Sequence, residues 1–200
     1  MTQTFKRFQQ GFTVVEVAVV VAVLAIMASI ILVSYATYRE DARDVQRKSD
    51  VQQIAAALKA YANWKNNYVE GGSGCGAGGN GNGWVGASTS DIASYPASII
   101  SCLQAAKVLK DGDFIDPSGC VWDAGGSCGS GASGTPAKAY MKATCTKAGV
   151  KKTFVFAYLE TQPANNAVID NLCDTGTITG FTGVYEDWGT RYGMNYYVEI

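Results

Sequence analysis

The stretch GFTVVEVAVVVAVLAIMASIILV, residues 11–33, decides how this chain folds. From Val17 to Val33 it contains no charged residue and one hydroxyl group, that of Ser29. These 17 residues come close to the shortest helix that crosses a bilayer core of ~30 Å. The stretch therefore predicts a membrane-spanning helix near the N-terminus.

Glu16 stands at the front edge of the apolar run, where a carboxylate facing hydrocarbon costs at least ~2.5 kcal/mol unless it is paired. Upstream, Lys6 and Arg7 are the charged residues, and such basic residues favour the cytoplasmic side. A secretory leader has its apolar segment before the cleavage site, whereas here the small residue Gly11 precedes that segment. Cleavage after Gly11 would leave the helix on the mature protein and create an amine at Phe12, about one helical turn from Glu16.

The basic leader, Gly11, Phe12, Glu16 and the apolar run together resemble the type IV pilin family, which includes the pseudopilins of type II secretion. The resemblance covers residues 6–69. It implies cleavage by prepilin peptidase on the cytoplasmic side, N-methylation of Phe12 and polymerisation through the apolar helix. In a bundle, Glu16 of one subunit is expected to form an assembly salt bridge with the Phe12 amine of a neighbour. The alternative is a plain signal anchor in which Glu16 is incidental.

The implied partners are copies of the chain itself and other pilins in a helical filament. The prepilin peptidase and an inner-membrane assembly platform act on the subunit, and lipid surrounds the helix before assembly. Loss of residues 1–11 removes 2 of 16 basic residues and none of 17 acidic ones, so the mature charge is 14 − 17 = −3. This balance gives no direct support for nucleic-acid binding, which usually requires a basic patch.

The composition argues against an enzyme. The chain has no histidine, which excludes His-dependent triads, His general bases and His-containing metal sites. We therefore predict no catalytic residue, no cofactor and no metal.

Six cysteines lie beyond the apolar helix and are disulfide candidates: Cys75, Cys102, Cys120, Cys128, Cys145 and Cys173. An even number outside the membrane is typical of disulfides in an oxidising compartment. Six cysteines allow fifteen pairings. Proximity along the chain favours 120–128 and allows 75–102 and 145–173, and metal binding is the less favoured alternative because no C-x-x-C motif occurs.

We predict an α+β fold: a long N-terminal α-helix packed against a small antiparallel β-sheet head, stapled by disulfides as in pilins. The predicted organisation is a leader at 1–11, a transmembrane or filament-core half-helix at 12–38, an amphipathic half-helix at 39–70 and an extracellular globular head at 71–200. In the second half-helix, Val51, Ile54, Leu58, Tyr61 and Tyr68 form an apolar stripe. The helix is expected to end near Tyr68.

In the head, Ser98 is expected to cap a helix over Ile99–Lys110. Alternation of apolar residues predicts strands at 138–146 and 152–160, joined by a hairpin at 147–151, with further strands at 177–185 and 192–200. Glycine-rich segments at 71–86 and 119–134 are expected to be loops, the first on the surface.

Two groups of acidic residues are weak calcium candidates: Asp111, Asp113 and Asp116, and Asp170 with Asp174. The first group does not match an EF-hand loop, which needs an acid at its twelfth position, occupied here by Trp122. The second group is a candidate of similar weakness. Carboxylates that cap turns in solvent are the favoured interpretation of both groups.

The sequence thus predicts a structural subunit of a type IV pilus, stored in the inner membrane by a single span and then part of an extracellular filament for adhesion, twitching motility or DNA uptake. One alternative is a type II secretion pseudopilin that acts as a piston. Another is an extracellular enzyme or receptor domain held by a signal anchor.

Overall fold

The computed structural model describes residues 11–110, 112, 114–120, 136–175, 177–178 and 187–200, with the backbone alone at residues 31–34. The chain forms two compact units, Met1–Glu40 and Asp41–Ile200. In chain order the elements are α1 (Val14–Lys65), a 3-10 turn (Ala77–Gly79), β1 (Gly83–Trp84), α2 (Ile99–Ala105), β2 (Met141–Lys147), β3 (Val150–Ala157), α3 (Asn166–Ile169), α4 (Trp188–Tyr192) and β4 (Tyr196–Glu199).

The predicted apolar stripe of α1 forms one side of the core. Val51, Ile54 and Leu58 are fully buried and share a cluster with Ile99 and Leu103 of α2. The 3-4 spacing of these residues places them on one helix face, so burial of that face stabilises the second half of α1. The stripe is therefore confirmed within the unit Asp41–Ile200.

Both helices end earlier than predicted. α1 ends at Lys65 because Asn66 has a φ of 57°, a left-handed conformation that stops a helix and that Asn tolerates better than most residues. α2 begins as predicted, with the Ser98 side chain accepting a hydrogen bond from the Ser101 amide, but it ends at Ala105. A second left-handed residue, Lys107 with a φ of 58°, follows that end.

The four strands form one antiparallel sheet in the order β1-β2-β3-β4, and the predicted α+β fold is confirmed. Strand β3 is buried on both faces. Its Val155 and Ala157 join the cluster of α1 and α2, while Phe154 and Phe156 point to a second cluster on the other face. There the rings of Phe156 and Trp188 lie 4.7 Å apart.

The hairpin between β2 and β3 is tighter than predicted. Only Ala148 and Gly149 lie between the strands, and both have positive φ values, 50° and 79°. Two successive residues with positive φ are typical of the two-residue turns that match the twist of paired strands. The predicted strand at 192–200 is shorter as well, because Tyr192 ends α4 and Gly193 caps it with a φ of 70°. Most of the predicted strand at 177–185 lies outside the described residues.

The prediction of a surface loop at residues 71–86 is wrong, because most of residues 75–85 are buried. A methyl group at Gly81 would overlap the carbonyl oxygen of Val69, and one at Gly83 would overlap the Tyr95 hydroxyl group. Glycine is required here for close approach of the backbone to its neighbours, combined with positive φ. Most of the second glycine-rich segment, residues 121–134, lies outside the described residues.

Two disulfides staple the head. Cys75 is joined to Cys102 across 27 residues of sequence, and Cys145 to Cys173 across 28. The first bond ties the glycine-rich segment to α2, and the second ties β2 to the residues after α3. Cys128 lies outside the described residues, so its pairing with Cys120 stays a prediction.

A buried ionic network centres on Arg47 of α1, whose side chain is fully buried. Its guanidinium donates two hydrogen bonds to Asp116, of 2.6 and 2.9 Å, and further bonds to Asp44 at 2.9 Å and Glu160 at 2.7 Å. Arg43 donates a second pair of bonds to Glu160. Such a network is stable only when every charge has partners, as these have.

The network shifts the ionisation of its carboxyl groups. Hydrogen bonds from Arg43 lower the pKa of Glu160 to about 2, against the opposing effect of burial. Burial opposes ionisation of Asp116 too, but hydrogen bonds from Arg47 and Ser118 lower its pKa overall. Since these folded-state pKa values lie below the unfolded ones, their stabilisation is present above about pH 4.5 and is lost as the pH falls towards 2.

Replacement of Gly81 by Ala is expected to lower the free energy of unfolding by at least about 3 kcal/mol, because left-handed strain adds to the overlap with Val69. Gly72→Ala is the matched control. Gly72 has a similar φ of 80°, but apart from its chain neighbours no described atom lies within 4 Å of the added carbon, so only about 1–2 kcal/mol is expected. Chemical denaturation of the detergent-solubilised chain measures both; equal losses would contradict the buried loop.

Replacement of Arg47 by Leu is expected to lower the free energy of unfolding by about 3–5 kcal/mol at neutral pH, since it leaves buried carboxylates unpaired. The difference from wild type is expected to shrink between pH 4.5 and 2, because protonated carboxyls no longer need the arginine. Lys59→Leu, an exposed position on the same helix, is the control. A pH-independent difference would count against the network.

Candidate processing and assembly site

The peptide bond predicted to be cleaved lies just ahead of α1. Gly11 and Phe12 both precede the first helical residue, Val14, and are exposed, with 87% of Phe12 accessible. Apart from its chain neighbours, no described residue has an atom within 4 Å of a carbon added at Gly11. Peptidases act on exposed backbone outside regular structure, and the bond between Gly11 and Phe12 meets both conditions. Residues 1–10 lie outside the described residues.

Glu16 is bound to the start of its own helix. Its Oε2 atom accepts hydrogen bonds from the backbone amide and from the hydroxyl group of Thr13, both at 2.8 Å. In return, the Glu16 amide donates to the Thr13 hydroxyl oxygen at 3.3 Å. This reciprocal pair is a capping box, in which residues three apart satisfy amides that have no partner within the helix.

The cap places the carboxylate where the helix favours it. Aligned peptide dipoles leave the N-terminus of α1 partially positive, which stabilises a negative group in the first turn. The Glu16 Oε1 atom accepts no hydrogen bond within the described part of the chain. One oxygen is therefore held by the cap, and the other is available to a donor from another molecule.

Behind this cap, the first part of α1, up to residue 30, is apolar on every side. All side chains from residue 11 to residue 30 are exposed. The exposed fraction of the large apolar ones ranges from 46% at Val23 to 87% at Phe12. Among the described residues, α1 is the one helix whose length and composition would let it span a membrane. A helix that is apolar all round is stable only in lipid or among other helices, so this segment requires one of those surroundings.

The acidic candidates are occupied by protein groups where the structure describes them. Asp116 binds Arg47, as above. Asp170 accepts hydrogen bonds from the Gly189 amide and the Thr190 hydroxyl group, and Asp174 accepts one from the Ala148 amide. No group of three or more potential metal ligands occurs in the described residues, and Asp111 and Asp113 lie outside them.

The geometry describes a capped carboxylate at the start of an exposed apolar helix that is long enough to span a membrane. In agreement with this geometry, residues 6–32 match the family model described as the prokaryotic N-terminal methylation motif. The chain is 38% identical over 56 residues to a Pseudomonas aeruginosa protein described as type II secretion system core protein G. That similarity covers 28% of this chain and 39% of the relative. No solved structure matches the chain.

The motif and the relative support the family that unites pilins and pseudopilins, so the predicted resemblance is confirmed. The same findings do not distinguish a pilus subunit from a pseudopilin. They fit a subunit with a structural role, anchored in a membrane through one N-terminal apolar helix.

Sequence reasoning singles out Gly11, Phe12 and Glu16, which stay predictions as site residues, but it misses Thr13. The missing information was present in the sequence, because Thr-Val-Val-Glu has the threonine and glutamate spacing of a capping box before an apolar run. The partner that the sequence analysis considers for Glu16 is the Phe12 amine, of the same chain or of a neighbour. The structure shows that the first partner of Glu16 is Thr13 in its own chain.

Replacement of Thr13 by Val should speed hydrogen exchange at the amides of the first turn of α1 about fivefold, since the lost cap is worth about 1 kcal/mol. Hydrogen exchange of the full chain in micelles, read by mass spectrometry or NMR, measures this. Thr37→Val, at an exposed site within the same helix, should leave those amides unchanged. Unchanged exchange in Thr13→Val would show that the cap is not formed.

Proposed function

We propose that this chain is a structural subunit of a type IV pilus. In this proposal, prepilin peptidase cuts after Gly11, Phe12 is N-methylated and the mature subunit is stored in the inner membrane. An assembly platform then moves it into a helical filament of like subunits outside the cell, for adhesion, motility or DNA uptake. The observation that carries the proposal is an apolar helix segment whose side chains no described residue of the chain covers, with a carboxylate at its start that has a partner for one oxygen only.

The carboxylate supports a mechanism for register. In a bundle of apolar helices, sliding one helix along another changes little apolar contact, so packing alone specifies position poorly. Glu16 differs, because a desolvated charge without a partner penalises every wrong offset. The amine that cleavage creates at Phe12 would supply the missing donor to the Glu16 Oε1 atom of a neighbour.

A pseudopilin of type II secretion is the second candidate, since the relative found by similarity is described as a core protein of that system. A pseudopilin would use the same processing and the same helix contacts but would act as a short piston in the cell envelope. Electron microscopy of filaments sheared from the cell surface separates the two candidates. Long surface fibres that contain this chain support the pilus, and their absence together with a block in protein secretion supports the pseudopilin.

Replacement of Glu16 by Val should reduce the number of filaments at least about tenfold, because the charge that sets register is lost. Membrane insertion should be intact or stronger, since the apolar segment becomes longer. Immunoblots of membrane and sheared fractions measure both quantities. Asp41→Val, an exposed acid on the same helix, is the control. Normal filament numbers in Glu16→Val would rule out the register mechanism.

Replacement of Gly11 by Leu should prevent processing, because a bulky residue would stand at the position that the peptidase is expected to read. The uncleaved chain should accumulate in the membrane and should not enter filaments. Intact-mass spectrometry compares it with wild type, for which a methylated Phe12 terminus is expected. A mature Phe12 terminus in Gly11→Leu would refute the assignment of the cleavage site.

A further inference from the structure

A cleft of about 420 Å³ opens between the last turn of α1, the segment 66–70 that follows it (the corner) and β3. It lies wholly within the unit Asp41–Ile200, and every residue lining it is described. Polar side chains dominate the lining: Asn63, Asn66, Tyr68, Glu70, Lys151 and Thr153. Pockets for apolar small molecules have mostly hydrophobic walls, so this cleft suits a different class of ligand.

Two amide groups in the cleft have unused hydrogen-bonding capacity. The side chains of Asn63 and Asn66 make no hydrogen bond within the described part of the chain. Each amide offers two donors and one acceptor in a single plane. Asn67 differs, because its side-chain oxygen already accepts a bond of 3.0 Å from the Val69 amide and so holds the corner.

The wall that carries Asn66 is held in an unusual conformation. Asn66 and Val69 both have positive φ values, 57° and 56°, and for a branched residue such as Val69 this is strained. Buried Lys142 supports the corner from below, since its ammonium donates to the carbonyl oxygens of Val69, at 3.4 Å, and Gly81, at 2.7 Å. The amide groups are thus presented from a preorganised backbone, which lowers the entropic cost of binding.

The charged side chains that line the cleft neutralise each other. Its acid and its base, Glu70 and Lys151, form an ion pair with each other at the rim. Tyr68, half-buried in the lining, contributes an aromatic ring. Free amides, a neutralised rim and an aromatic surface match a neutral molecule with many hydroxyl groups, each of which both donates and accepts hydrogen bonds.

We propose that this cleft binds a neutral oligosaccharide, with the Asn63 and Asn66 amides bonded to adjacent hydroxyl groups of the sugar. The proposal concerns the unit Asp41–Ile200 alone and does not depend on whether the chain forms a pilus. It would give the chain an adhesive site of its own, separate from the apolar first part of α1.

The full chain is purified in a detergent without a sugar head group, such as lauryldimethylamine oxide, and titrated with maltotriose, cellotriose and triacetylchitotriose. Calorimetry and saturation-transfer NMR detect binding. We expect at least one probe to bind with a Kd of about 0.1–5 mM, typical of few hydrogen bonds in an open site. Asn63→Ala combined with Asn66→Gly should weaken that binding at least about tenfold, since glycine retains the positive φ at position 66.

Asn171→Ala removes an exposed amide outside the cleft and should leave the Kd unchanged, and equal melting temperatures show that all variants are folded. Absence of binding by all three probes up to about 10 mM would overturn the proposal. Binding that the double variant retains at wild-type strength would overturn it as well, because the sugar would then sit elsewhere.

Discussion

A carboxylate at the start of an uncovered apolar helix is the constraint on which this molecule depends. Lipid accepts the helix readily but not an unpaired charge. The chain answers part of this problem by itself, because Thr13 donates two hydrogen bonds to one oxygen of Glu16. The remaining oxygen, Oε1, can accept a hydrogen bond from another molecule.

In the unit Asp41–Ile200, by contrast, the charges of the buried network have partners within the chain. Arg47 is fully buried, yet it and Arg43 between them bind Asp44, Asp116 and Glu160. Buried ion pairs contribute less to stability than they cost when one partner is lost, so the network chiefly penalises alternative packings of the segments that carry its members. The buried charges of the unit Asp41–Ile200 therefore bind one another, whereas the Oε1 atom of Glu16 accepts no hydrogen bond from the described residues.

Periodic features of the sequence predicted the fold well. The 3-4 stripe of Val51, Ile54 and Leu58 and the alternation in β2 and β3 depend on local geometry, which the sequence encodes directly. The burial of residues 75–85 was not predictable, because glycine content indicates conformational freedom and not the neighbours that fill it. Gly81 is necessary because of Val69, twelve residues away in the chain and adjacent only after folding.

The same limit applies to charged residues. Arg43 and Arg47 lie in the sequence soon after the apolar run of α1, and nothing local indicates that Asp116 and Glu160 contact them in the fold. At the candidate site the reverse holds, since Gly11, Phe12 and Glu16 lie within six residues and their pattern needs no tertiary information. Only the role of Thr13 was overlooked, although its spacing to Glu16 was visible.

Glu16 has hydrogen-bond partners for one oxygen only, and this suits the proposed subunit both in the membrane and in the filament. A carboxylate without any partner would oppose storage in the membrane, and one with every lone pair filled would gain nothing from a neighbour and could not specify register. With the cap in place, the cost of storage falls, while Oε1 still distinguishes an aligned neighbour from a displaced one. In the proposed subunit, Thr13 would set how strongly the carboxylate acts, and cleavage before Phe12 would determine when the amine partner becomes available.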